Sequence, residues 1–135
     1  MKTLIFDPFS GAAGDMILGS LIDLGADPAK VCKSIESAVE VSVTVSPVSK
    51  KGIKSLDVRV QVPRRPHSRS YPELLEIINK ASLPGKVRED ALGVFALLAE
   101  AESTVHGESL QELHFHEVGQ DDALADVIGS CFAMN

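Results

Sequence analysis

Hydrophobic and polar residues alternate along the 135-residue chain in two different periods. Thr3-Leu4-Ile5-Phe6 is a short apolar run halted by Asp7-Pro8, the pattern of a buried strand that ends at a proline. A small-residue loop follows, Ser10-Gly11-Ala12-Ala13-Gly14-Asp15. Met16, Ile17, Leu21, Ile22 and Leu24 then recur at helical spacing up to Gly25, a natural C-terminal stop. Asp27-Pro28 supplies a cap and a first-turn proline, predicting a second helix to about Ala38. The period then becomes two: Val41, Val43 and Val45, and later Leu56, Val58, Val60 and Val62, alternate with polar residues. These predict half-buried strands joined as an antiparallel hairpin across the turn-rich stretch from Pro47 to Gly52.

Pro63 to Arg69 reads as a basic, mobile loop. Ser70-Tyr71-Pro72-Glu73 has the form of a capping box before a helical stripe of Leu74, Ile77, Ile78 and Ala81. After Pro84 a longer helix is expected, with Val87, Ala91, Val94, Phe95, Leu98 and Ala101 on one face. Leu113 to Val118 reads as a strand, and Ala123 to Ala133 as a last helix with Leu124, Val127 and Ile128 inward. The implied fold is α/β: a mixed sheet of about four strands with helices packed on it, in one layered domain spanning residues 1–135. The last helix has no stop signal at Met134-Asn135, which suggests a piece of a longer protein.

Composition narrows the class. At 44% hydrophobic residues the chain can bury one core, and with no Trp and one Tyr that core is mainly aliphatic. No apolar run reaches the roughly 18 residues a membrane span requires. Asp7 follows the first apolar run too closely for a secretory signal. Cys32 and Cys131 are isolated, which suits a reducing cytoplasm. The net charge of -6 is unevenly spread. Seven basic residues and one acid lie between Lys50 and Arg69, whereas ten carboxylates and no Lys or Arg lie from Glu89 onward. The acidic half attracts cations and disfavours nucleic acid, although two solvated faces of opposite sign would read the same way.

The richest run of ligand-type side chains is His114-Phe115-His116-Glu117. On a strand, residues i and i+2 share a face, so His114 and His116 project together while Phe115 turns inward. Two such imidazoles form a bidentate donor for nickel, zinc or copper. Glu117 joins them only if the strand ends or bulges, as Gly119 would permit. Asp122 and Asp126, at i and i+4, share one face of the following helix and could converge on the same point. His106 is a further imidazole, at the end of the long helix. An exposed histidine pair beside a helix with first-turn acids has the same sequence without binding any metal.

Asp7 to Asp15 forms the second constellation. A strand leading through a glycine-containing loop into a helix start offers backbone N–H groups to an anion, with Gly11 and Gly14 allowing close approach and Ser10 adding a hydroxyl. The run lacks the Gly-Lys-Ser/Thr ending of a P-loop, and Phe9 excludes the Asp-x-Asp start of haloacid-dehalogenase-type phosphatases. Asp15 opposes a phosphate there and could instead cap the helix or bind metal, and taken alone the run reads better as a structural turn than as an anion site. Arg64, Arg65, His67 and Arg69 could touch phosphate. Aromatic interleaving is absent apart from Tyr71, so nucleic-acid recognition is not supported. No nucleophile elbow accompanies Ser10.

Together the two constellations carry a family resemblance. Asp7-Pro8-Phe9-Ser10-Gly11-Ala12-Ala13-Gly14-Asp15-Met16 resembles the opening motif of the LarC-type nickel-insertion family. His114-Phe115-His116-Glu117-Val118-Gly119, with Asp122, Asp126 and Gly129, is similar to its second signature. Ala99-Glu100-Ala101-Glu102 and Val105-His106-Gly107 lie between them in the family's order. The resemblance covers essentially the whole chain. It implies a nickel chelatase of the lyase class that inserts nickel into pyridinium-3,5-bisthiocarboxylic acid mononucleotide, making the nickel-pincer cofactor of lactate racemase-type enzymes. CTP, with magnesium or manganese, would bind through a C-terminal domain that this chain lacks, so the chain alone would be inactive.

By the same resemblance, metal contact falls to His114 and His116, then Glu117, Asp122 and Asp126. Substrate or anion contact falls to Asp7, Ser10, Gly11, Gly14 and Asp15. The implied partners are the mononucleotide and the remaining domain, with no nucleic acid or membrane and room for a homo-oligomer. Pro8 stands where the family usually has Cys, which removes a thiolate. The 63–69 loop holds only His67 among arginines, which weakens any role in nickel storage. Two other readings stay open: a non-catalytic metal-binding or metallochaperone module, and a metal-dependent hydrolase with Glu117 as base.

Overall fold

A computed structural model describes residues 3–63 and 68–135. The elements run α1 (Gly14–Asp23), α2 (Pro28–Glu36), β1 (Ser42–Lys50), β2 (Ile53–Gln61), β3 (Arg69–Ser70), α3 (Tyr71–Lys80), α4 (Gly85–His106), β4 (His114–Phe115) and α5 (Asp121–Met134). The architecture is mixed α/β. Its four described strands fall into two antiparallel two-stranded sheets, β1–β2 and β3–β4, where one sheet was expected. Arg64, Arg65 and His67, and the mobility expected of their loop, lie outside the described residues.

Local signals explain most helix ends. Asp27 accepts hydrogen bonds from the N–H groups of Ala29 and Lys30 and so caps α2. Ser70 and Glu73 form the reciprocal capping box at α3. Gly107, at φ 69°, ends α4 in the left-handed conformation that glycine adopts without steric cost. The hairpin turn is only Lys51-Gly52, both with positive φ, which matches the twist of the flanking strands. Pro47 therefore lies inside β1, opposite Leu56, and not in the turn. A two-stranded ribbon consists of edges alone, where a missing N–H is tolerated.

Helix α5 is the centre of the molecule, packing against α1, α2 and α4 and touching β2. Leu124, Ala125, Ile128 and Gly129 are all buried. Close approach at Gly129 is steric. A Cβ there would lie 2.8 Å from Ile35 Cδ1 and 3.0 Å from Leu18 Cδ2. Helix α4 has neighbours on one side only, α3 and α5, so its buried stripe is narrow: Val87, Ala91, Phe95 and Ala99. Val94 and Ala101, expected on that stripe, are exposed.

Two expected strands differ. Residues 3–6 have no strand partner among the described residues and lie exposed. The strand expected from Leu113 to Val118 is only His114–Phe115, because the chain turns back at 116–120 to start α5. Gly129→Ala should destabilise the fold by about 1–3 kcal/mol through overpacking of Leu18 and Ile35, measured by urea denaturation.

Candidate functional site

The histidine pair is held by the smaller sheet. Arg69 pairs with Phe115 and Ser70 with His114. Phe115 is buried and meets Tyr71 edge to face, with ring centroids 6.0 Å apart. That anchor leaves His114 and His116 exposed on either side of it, as the period of two predicts. His114 Nδ1 lies 2.8 Å from the carbonyl oxygen of Glu112. A carbonyl only accepts, so this contact requires Nδ1 to carry the hydrogen, and in the neutral tautomer Nε2 is then the nitrogen able to bind a metal.

The strand ends at Phe115, so the alternation that would have turned Glu117 away no longer applies to it. The turn is closed by Gln120, whose backbone N–H reaches the Glu117 carbonyl at 3.2 Å and whose side-chain amide donates to the His116 carbonyl at 2.8 Å. Arg69 locks it from beneath. Its Nη1 donates to the Gly119 carbonyl at 2.8 Å and its Nη2 to Asp121 Oδ1 at 2.6 Å. Both side chains are almost fully buried, 11% and 5% exposed. Gly119 is required because a Cβ would sit 2.7 Å from that of Phe115.

This pairing of residues 52 apart was invisible in the sequence. Arg69 reads there as one of several loop cations, and Asp121 as a neighbour of the more prominent Asp122. No local spacing connects them.

The opening motif meets the other end of the constellation. Asp126 lies directly against the first residue of α1, so that a Cβ on Gly14 would come within 2.2 Å of its Oδ2. Burial, followed by the charges of Asp15 and Asp122, raises the Asp126 carboxyl to about 6. Asp15 and Asp122 accept hydrogen bonds from the backbone N–H groups of Met16 and Ala123, each at 2.8 Å. The negative field on Asp126 opposes an anion at this helix start and favours a cation.

Asp7, Ser10 and Gly11 are exposed; a turn there is closed by the Gly11 N–H to the Pro8 carbonyl at 2.9 Å. His106 is engaged with Glu102 at 3.0 Å. Between α1 and the hairpin lies a cleft of about 350 Å³ whose charged lining is Asp15, Asp23, Asp57 and Lys50.

The structure thus brings Asp15, Asp122 and Asp126 into electrostatic contact and leaves His114 and His116 exposed on either side of the buried Phe115. It does not gather all the expected ligands. Among the described residues no group of three or more His, Cys, Asp or Glu side chains is close enough to hold a metal ion.

Comparison with known proteins supplies the class that the geometry leaves open. Residues 4–135 match the family described as nickel insertion protein, and the chain belongs to that family. It is 58% identical over 136 residues to a nickel insertion protein of Methanosarcina barkeri, covering 100% of this chain and 34% of the relative. It is 38% identical over 146 residues to the pyridinium-3,5-bisthiocarboxylic acid mononucleotide nickel insertion protein of a Thermotoga species, covering 96% of this chain and 36% of that one. The counterpart of the same name in Staphylococcus saprophyticus is 36% identical over 133 residues, covering 97% and 34%. The chain therefore spans about a third of the length of these relatives. No solved structure matches it.

Two predictions follow from the geometry. Arg69→Met should cost about 3–5 kcal/mol by leaving Asp121 buried and unpaired, while Arg69→Met/Asp121→Leu should recover most of that loss in the same denaturation assay. Asp126 binds its proton more tightly folded than unfolded, so its ionised form destabilises the fold above pH 6, and this penalty fades as pH falls from 6 towards 4. Asp126→Asn should therefore stabilise the fold at pH 7 by on the order of 1–2 kcal/mol, discounted for partial exposure, and by almost nothing at pH 4.

Proposed function

We propose that this chain is the metal-presenting domain of a nickel chelatase acting on pyridinium-3,5-bisthiocarboxylic acid mononucleotide, the substrate named for the Thermotoga and Staphylococcus relatives. The observation that carries the proposal is the exposure of both His114 and His116, with the His114 Nδ1 engaged by the Glu112 carbonyl so that Nε2 is the ring nitrogen left for a metal. Nickel is the cargo. It enters through His114 and His116, and Glu117 joins as a third donor when the adjacent turn rearranges around the ion, since no three such side chains are gathered among the described residues. Two imidazoles leave coordination positions open for the substrate's sulfur atoms, which can then draw the ion away. Asp122 and Asp126 contribute oxygen donors or, at a distance, the negative field that concentrates the cation.

The loop of Asp7, Ser10, Gly11, Gly14 and Asp15 faces the substrate. Its carboxylates assign it to the positively charged ring or to a metal-bridged group, while any phosphate contact is left to the Ser10 hydroxyl and the backbone. CTP with magnesium or manganese is used by the part of the protein beyond this third, so the chain alone does not turn over. The product is the nickel-pincer cofactor of lactate racemase-type enzymes. Two cysteines outside any disulfide agree with a cytoplasmic setting. Among the described residues no helix is long and apolar enough to cross a membrane.

Calorimetric titration with Ni²⁺, Zn²⁺ and Mn²⁺ tests the site. His114→Ala/His116→Ala should weaken nickel binding by at least about 10–100-fold, the loss already seen when only groups supporting a metal ligand are removed. Undiminished binding would refute the assignment. Incubating precursor and CTP with this chain should yield no product, whereas a full-length relative should convert it.

A further inference from the structure

The least explained feature of the molecule is its first segment. Leu4, Ile5 and Phe6 are apolar on both faces of an extended stretch, yet they are 44%, 81% and 47% exposed. Phe9 is 93% exposed and Met16, on the adjoining face of α1, 57%. A shallow groove of about 370 Å³ runs beside them, lined by Phe6, Pro8, Ala12, Met16 and Ile17. A strand apolar on both faces is the kind found inside a sheet covered on both sides. Here no strand among the described residues pairs with it. An unpaired, apolar extended segment is a template for strand addition, which supplies backbone hydrogen bonds along its edge and covers its side chains.

We propose that residues 3–7 form one strand of a sheet whose neighbouring strand comes from the part of the longer family members that this chain does not span. The occupant is an apolar extended segment of the same polypeptide, laid along Leu4–Phe6 with its side chains over Met16 and Phe9. The relatives are about three times the length of this chain, so ample sequence exists to supply it. A second copy of the chain is the competing occupant, and the concentration dependence of the protection separates it from the first.

The docking has a consequence for the site. It fixes the backbone leading into Asp7 and the Ser10–Gly14 loop, so the substrate-facing loop is ordered only when the rest of the polypeptide is present. This consequence rests on the proposed function; the strand pairing itself does not.

Amide hydrogen exchange tests the pairing. In the 135-residue chain the amides of residues 4–7 should exchange at nearly unprotected rates. In the full-length Methanosarcina barkeri relative, the aligned amides should exchange at least about 100-fold more slowly, the protection of a structured strand. Equal, fast exchange in both would overturn the proposal. So would protection in the short chain that grows with protein concentration alongside a dimer in light scattering, since that would make the occupant a second copy. Ile5→Asp should leave the melting temperature of the short chain unchanged, and the corresponding substitution should lower that of the relative. A clear loss of stability in the short chain would also count against the pairing. Nickel titration of the same samples keeps the two ideas apart, since His114 and His116 bind whether or not residues 3–7 are paired.

Discussion

Burial of α5 is the constraint on which the rest depends. Three helices and the hairpin lean on this one helix, and they can do so because its buried positions include Ala125 and Gly129 as well as Leu124 and Ile128. A larger side chain at 129 would push away Leu18 of α1 and Ile35 of α2 together. The helix must also begin where it does, and that is set by Arg69. This guanidinium is fixed to the carboxylate of Asp121 and to the Gly119 carbonyl, so it joins the first residue of α5 to β3 and to the turn carrying the histidines. A buried ion pair of this kind adds little net stability over an apolar pair, but once built it tolerates no loss of one partner. Its role is to specify register.

The same anchor explains how the metal-ligand types are divided. By turning the chain sharply after Phe115, it leaves His114, His116 and Glu117 on an exposed knuckle. By starting α5 at once, it carries Asp122 and Asp126 back over the first residues of α1. Helix and strand therefore display imidazoles and carboxylates on one continuous acidic segment without closing them into a cage. Under the proposed function such an open arrangement suits a cargo metal, because a closed site would hold the ion firmly whereas an incomplete one can pass it on. The carboxylates carry a cost that Asp126 reports directly, with its proton retained up to about pH 6. Such tension between stability and charge is common where a surface is shaped for a ligand.

Much of the fold was legible because its causes are local. Asp27 beside Pro28, the Ser70–Glu73 box, Gly107 after the long helix and the alternating valines of the hairpin each act within a few residues. Where the expectation slipped, a distant neighbour decided the outcome. Val94 and Ala101 fit the helical stripe of α4 by spacing, but α4 packs mainly on α3 and α5 and both residues lie outside that buried face. Leu113–Val118 has the look of a longer strand, but Gly119 must fold against Phe115 and Arg69. Thr3–Phe6 has the composition of an inner strand and no strand beside it among the described residues.

By itself, then, the sequence determined the helix limits, the hairpin, the paired exposure of His114 and His116, and membership of the nickel insertion family through its two motifs. These depend on residue type and short-range spacing. Tertiary structure alone decided that Gly14 lies under Asp126, that Arg69 reaches Asp121, and that the strands form two small sheets instead of one. Contacts between residues from 44 to 112 positions apart are set by which faces remain to be buried after the local elements form. That is a property of the packed whole, and no single stretch of chain encodes it.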